Sequence, residues 1–165
     1  MSFWIILLTA ILAIMPISEL RGAIPFAMAN GMPWYIAYPF AVALNMLVGP
    51  ICWIFLSTLH RFFMFLAEKP FFSWYKKLFN FFVERTREKV QEKVEKWGWL
   101  GIAVFVGIPL PITGAWTGTL GAWLLGLSMK RTMLAVILGV IISGTIVTIV
   151  MILGIQALHI FLKEI

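Results

Sequence analysis

The sequence predicts an all-α integral membrane protein: an inverted repeat of two re-entrant helical hairpins, each followed by a transmembrane helix, with a central basic amphipathic helix. Three observations predict it. Apolar residues make up 62% of the 165 residues and charged residues only 12%, against about a quarter charged in a soluble domain. The apolar runs are broken twice by proline and glycine, at 16–25 and at 107–114. Charge gathers in the middle, where Arg61 to Lys96 holds nine Lys/Arg against five Glu and supplies much of the net charge of +6. The expected organisation is one membrane domain, 1–165. Its first repeat, 1–60, is a re-entrant hairpin 3–33 plus a transmembrane helix 34–60. A linker, 61–97, precedes a second repeat, 98–165, made of a hairpin 98–128 and a transmembrane helix 132–158.

Phe3 to Ile17 is uncharged, short for a full crossing, and followed by the Pro16 to Pro25 break, after which apolar residues resume up to Asn30. The start has neither a basic n-region nor a small-residue cleavage site, so it does not read as a signal peptide. Asn30-Gly31 with Pro33 marks a turn, and Trp34 to Ser57 is then long enough to cross a bilayer. Near its middle, Asn45, Gly49 and Pro50 predict either a kinked helix packed through small residues or an unwound path.

Phe62 to Phe82 interleaves aromatics with Lys69, Lys76 and Lys77, the pattern of a segment at the headgroup boundary. Val83 to Trp97 is charge-rich, with Val90, Val94 and Trp97 on one side and Glu92/Lys96 spaced as a helical pair. Its charges read as a solvated helix face. The positive-inside rule places 61–97 in the cytoplasm, near anionic lipid head groups.

Trp97 to Met129 is uncharged; as one helix it would be about 48 Å long, beyond the ~30 Å hydrocarbon core. Gly107 to Gly114, with Pro109 and Pro111, interrupts it. A single crossing would also carry Lys130-Arg131 to the outside, whereas a hairpin keeps both inside. Thr132 to Leu158 then spans outward, with Gly139, Ser143, Gly144 and Gly154 as small packing positions, and small-residue faces such as Gly139 to Gly144 make a homodimer reasonable. The first half reads as the mirror image, a hairpin from outside and an inward crossing, which is the pattern of an inverted repeat. The alternative is that Phe3 to Ile17 crosses and Glu19 and Arg21 lie in an external loop.

Function is expected at the breaks. Glu19 is the only carboxylate in the first 67 residues, and Arg21 stands beside it. Such charges are costly in an apolar setting unless paired or facing a wet cavity. Unwound backbone at membrane depth must line protein or water, so two breaks from opposite faces can form one polar site. A half-helix N-terminus offers free N–H groups to an anion. Gly22, Gly114 and Gly118 permit close backbone approach, Thr113, Thr117 and Thr119 offer hydroxyls, and Trp116 a wall. Arg21 would bind an anionic head group or hold Glu19. Burial works against the ionised form of Glu19 and Arg21 works for it, a balance suited to a proton carrier. The bland alternative is a static Glu19–Arg21 pair that orients the hairpin.

Other chemistries find little support. Cys52 is the single cysteine, Asp is absent, and His60 and His159 lie far apart. No metal site, cofactor, nucleic-acid partner or enzymatic activity is expected.

At Glu19-Leu20-Arg21-Gly22-Ala23-Ile24-Pro25 and at Pro109-Leu110-Pro111-Ile112-Thr113-Gly114-Ala115-Trp116-Thr117-Gly118 the chain resembles the small multi-drug export protein family, within the wider DedA/VTT superfamily. The resemblance covers roughly residues 16 to 155. It implies re-entrant hairpins arranged as an inverted repeat, a prokaryotic plasma membrane, and transport or lipid translocation. Members of the wider superfamily move phospholipids or polyprenyl-phosphate carriers between leaflets, with proton coupling proposed for some bacterial ones. This chain departs from the typical DedA pattern in its second hairpin, which has neither an acid nor an arginine.

The expected function is therefore a membrane transporter or lipid translocase for an amphipathic substrate, a phospholipid or polyprenyl phosphate, with proton coupling through Glu19. The alternatives are a proton-coupled exporter of small hydrophobic drugs and a non-transporting membrane scaffold or assembly factor. The expected substrate or proton site comprises Glu19, Arg21, Gly22, Pro25, Pro109, Pro111, Thr113, Gly114, Trp116, Thr117 and Gly118.

Overall fold

The computed structural model of the chain describes residues 2–66 and 98–163, with side-chain surroundings up to Gln156. From residue 67 onward, the expected basic amphipathic segment lies outside the described residues. Among the described residues the regular structure is helical throughout.

The first half begins with α1 (Phe3–Ile14) and α2 (Glu19–Ala29), which pack on each other across a short break. The expected break through Pro25 is corrected: only residues 15–18 are unwound, and Gly22 and Pro25 lie inside α2. The helix restarts at once because the Gly22 amide donates to Ser18 O at 3.1 Å. Pro25 then removes only the one amide that would return to Arg21 O. Gly31, at φ +84°, reverses the chain after α2, a conformation glycine adopts without steric cost.

Next come α3 (Trp34–Met46) and α4 (Val48–Leu66), interrupted at Leu47 alone. The Leu47 amide takes the tighter bond to Leu44 O, and Pro50 has no N–H to return to Met46 O. The run is thus a kinked helix rather than an unwound path. It also continues beyond the expected end at residue 60.

The second half contains α5 (Trp99–Gly107), an irregular loop, α6 (Ala115–Leu124) and the long α7 (Met129–Lys163). The final helix starts earlier than the expected residue 132 because Ser128 initiates it. The Ser128 hydroxyl accepts from the Arg131 amide at 3.5 Å and its carbonyl from the Thr132 amide at 2.9 Å. Lys130 and Arg131 therefore belong to the first turn of α7.

Two helical runs, Trp34–Phe65 and Met129–Gln156, are long and apolar enough to cross a membrane. Packing follows the rule of such environments, small residues inside and large apolar ones outside. Ala13, Ala23, Ala27, Ala37, Ala41, Ala115, Ala122 and Ala135 are fully buried, while Trp4, Phe65 and Val150 are more than 60% exposed. The helix α7 is the spine, touching α2, α3, α4, α5 and α6. Two of its small positions, Gly139 and Gly144, are used within the chain. A side chain at Gly139 would meet Ala103 O of α5 at 2.8 Å, and one at Gly144 would meet Val42 of α3 at 2.7 Å. A homodimer would need a face other than the expected Gly139–Gly144 stripe.

Both breaks reach the middle of the long helices. Gly107, ending α5, lies against Gly139 and Ile142, and Leu20 of α2 lies near Gly144. These contacts fall midway along Met129–Gln156.

Candidate functional site

Ending a helix among apolar side chains exposes its last carbonyls, which need partners if no water reaches them. At the end of α1 each finds one. Ile11 O accepts from the Met15 amide at 3.0 Å, and Leu12 O from the Ser18 hydroxyl at 2.5 Å. Ala13 O accepts from Asn45 Nδ2 of α3 at 2.7 Å. Ile14 O accepts from the Trp116 indole Nε1 of α6 at 2.8 Å.

The opposite need arises at the start of α6, where the first amides lack acceptors. Glu19 supplies them. Its carboxylate accepts from the Ala115 amide at 3.3 Å and the Trp116 amide at 3.4 Å. Negative charge at a helix N-terminus is also favoured by the helix dipole. Both bonds are longer than the usual ~2.9 Å, so the grip is loose. Glu19 is only 5% exposed and takes φ +46°, a left-handed conformation costing a non-glycine residue roughly 1–2 kcal/mol.

Gly114 makes this approach feasible. A Cβ at that position would lie 1.9 Å from Glu19 Oε2. Its φ of 174° is extended backbone open to any residue, so space and not conformation demands glycine. Glu19 caps the second hairpin while Trp116 caps the first, and the two breaks clasp each other.

Of the expected site residues, Glu19, Gly114 and Trp116 come together. Arg21 sits half-buried on the first turn of α2, and among the described residues the partners of the Glu19 carboxylate are the two amides, not Arg21. The charge of Arg21 acts on that carboxylate by attraction, while the hydrogen bonds to it come across from α6. Gly22 serves its own turn, where a Cβ would fall 2.7 Å from Ser18 Cβ. Gly118 seats Val106 of α5, whose Cγ2 would lie 2.2 Å from an added Cβ. Pro25 belongs to the interior of α2.

Pro109 and Pro111 shape the loop between α5 and α6, whose tip includes the 81% exposed Ile112. Thr113 staples that loop, its hydroxyl accepting from the Leu110 amide at 3.1 Å and donating to Ile108 O at 2.5 Å or Leu110 O at 2.9 Å. The Thr117 hydroxyl bonds Ile112 O at 2.7 Å, and that of Thr119 bonds Ala115 O at 2.7 Å. These hydroxyls hold local backbone.

Sequence reasoning noticed Asn45 only as part of a kink or an unwound path and gave Ser18 no role. The signal for Asn45 was available: it is the one amide side chain between Trp34 and Ser57, and a buried amide requires a partner. No group of His, Cys, Asp or Glu suited to a metal occurs among the described residues.

Residues 19–146 match the sequence pattern of a family described as "Putative small multi-drug export protein". The match begins at Glu19 and contains both sides of the clasp. No curated protein and no solved structure matches the chain.

Proposed function

We propose that this chain, which belongs to the small multi-drug export protein family, is a proton-coupled membrane transporter in which the Glu19 clasp is the moving part. The observation that carries this reading is the pair of long hydrogen bonds from the Ala115 and Trp116 amides to the buried Glu19 carboxylate. An ionised carboxylate accepts both amides. Protonation removes the charge and turns one oxygen toward donation, leaving an N–H without a strong acceptor. Proton binding would thus loosen the two hairpins, and proton release would rejoin them.

The wider frame belongs to the same reading. Two broken hairpins meeting at the middle of the long helices support re-entrant elements of an inverted repeat, as in the DedA/VTT superfamily. A prokaryotic plasma membrane, with Arg61 and Lys130-Arg131 on the cytoplasmic side, fits the positive-inside rule. The substrate is amphipathic. A phospholipid or polyprenyl phosphate seeking the N-terminus of α6 would first have to displace Glu19 from it.

Glu19→Gln is the decisive variant, assayed in proteoliposomes under an imposed pH gradient with folding checked by thermal unfolding. Proton-driven substrate movement is expected to vanish. Its survival in the folded variant would show that Glu19 is not the carrier.

A further inference from the structure

Both breaks leave unwound backbone bare at the middle of the long helices. Ile17, at the first tip, is 87% exposed, and Ile112, at the second, is 81% exposed. Among the described residues the Ile17 and Ile112 amides find no acceptor, and the Pro109 and Pro111 carbonyls find no donor. Ile112 also holds φ +80°, a left-handed conformation that a β-branched residue rarely adopts. Ile17 stands two positions before Glu19, and Ile112 two before Gly114. Each tip Cα is therefore within about 8 Å of one side of the Glu19–Gly114 contact, and the two tips belong to one patch. Met15, Ile108 and Leu110 extend it with further exposed apolar surface.

We infer that a second copy of this chain covers this patch, the two breaks of one protomer meeting those of its partner about a two-fold axis. The inference rests on the reading above that both breaks re-enter the membrane, and it adds the surface and its occupant. Lipid is a poor cover, because hydrocarbon offers nothing to unpaired N–H and C=O groups. Water is a poor cover for isoleucine, leucine and methionine side chains. Protein meets both demands. A copy of the same chain fits because the patch holds unpaired donors and unpaired acceptors together, and a two-fold contact sets each against the other. Neither 2–18 nor 98–129 carries a charge, so the patch does not repel its own image. The Gly139 and Gly144 positions, by contrast, are already filled from within the chain.

Photo-crosslinking tests this. p-Benzoylphenylalanine is placed at position 17 or 112 of the full chain, which is co-expressed with a differently tagged copy. Illumination of the membranes is expected to give a covalent dimer carrying both tags. The same probe at position 150, where Val150 is 62% exposed on α7, is expected to give far less. Equal dimer yield from position 150 overturns the interface. So does an adduct with lipid, with another protein or with residues 67–97 of the same chain, or no adduct at all. Leu110→Arg is an independent check, since it sets like charges against each other across the contact. Subunit counting by photobleaching in lipid vesicles is expected to fall from dimer in the wild type to monomer in this variant. A dimeric Leu110→Arg with unchanged melting temperature overturns the patch as the contact. Fast labelling of Ile17→Cys and Ile112→Cys by a membrane-impermeant maleimide would place both tips in water and remove the re-entrant reading as well. A monomeric wild type whose proton-driven transport is lost in Glu19→Gln removes the interface and leaves the transport reading. Dimer adducts with transport intact in Glu19→Gln keep the interface and remove Glu19 as carrier.

Discussion

The carboxylate of Glu19 occupies the space that a side chain on Gly114 would need, with Oε2 only 1.9 Å from where a Cβ would stand. The two residues are 95 positions apart (114 − 19) and belong to different helical hairpins. Each constrains the other, which makes their coupling measurable.

Gly114→Ala is expected to destabilise the fold by about 1–3 kcal/mol, the usual cost of overpacking a close contact. The same change in a Glu19→Ala background should cost much less, because the clashing carboxylate is gone. A double-mutant cycle read by thermal unfolding in detergent measures the difference. Equal losses in both backgrounds would mean that the two residues do not touch.

Trp116→Phe removes the indole N–H from Ile14 O while keeping most of the ring. Asn45→Leu similarly removes the amide from Ala13 O. Each should cost about 1–3 kcal/mol by leaving a buried carbonyl unpaired. Their effects should not add, since the two carbonyls are adjacent at one helix end. Denaturation of the two single variants and the double variant checks both statements.

Gly139→Ala should destabilise by about 1–3 kcal/mol, because the new methyl meets the backbone oxygen of Ala103 at 2.8 Å. Gly154→Ala is the contrasting case, with open space around the added Cβ. There the change should be neutral or stabilising by roughly 0.5–1 kcal/mol, as alanine replaces glycine inside a helix. Melting temperatures of the pair distinguish a packed glycine from a free one on the same helix.

Arg21→Gln should cost about 0–1 kcal/mol, because the half-buried Arg21 acts on the Glu19 carboxylate through charge attraction and not through a hydrogen bond. Among the described residues Glu19 bonds backbone amides instead. A loss matching that of Glu19→Gln in parallel melts would restore the ion pair.

Much of the architecture was legible in the chain. The second break appeared where Pro109, Pro111 and Gly114 placed it, because proline removes helical donors whatever surrounds it. The turn at Asn30-Gly31 and the kink before Pro50 were readable for similarly local reasons. The first break was misjudged in length: Pro25 looked like a breaker, yet it sits within α2 and leaves one carbonyl without its helical donor. The charge of Arg21 acts on Glu19 as its place in the sequence suggested, but the hydrogen bonds to the carboxylate come from amides that the sequence does not mark.

By itself the sequence determined that two long apolar helices would be preceded by two broken segments, and that Glu19 would be a costly charge in the first of these. Composition and proline placement act locally, so they survive without knowledge of the fold. Tertiary structure decided what satisfies that charge. The partners are backbone amides of Ala115 and Trp116, which every residue but proline carries and which no side-chain pattern can advertise. Only packing of the hairpins against α7 brings those amides to Glu19, and only the missing side chain at Gly114 leaves room for it to arrive.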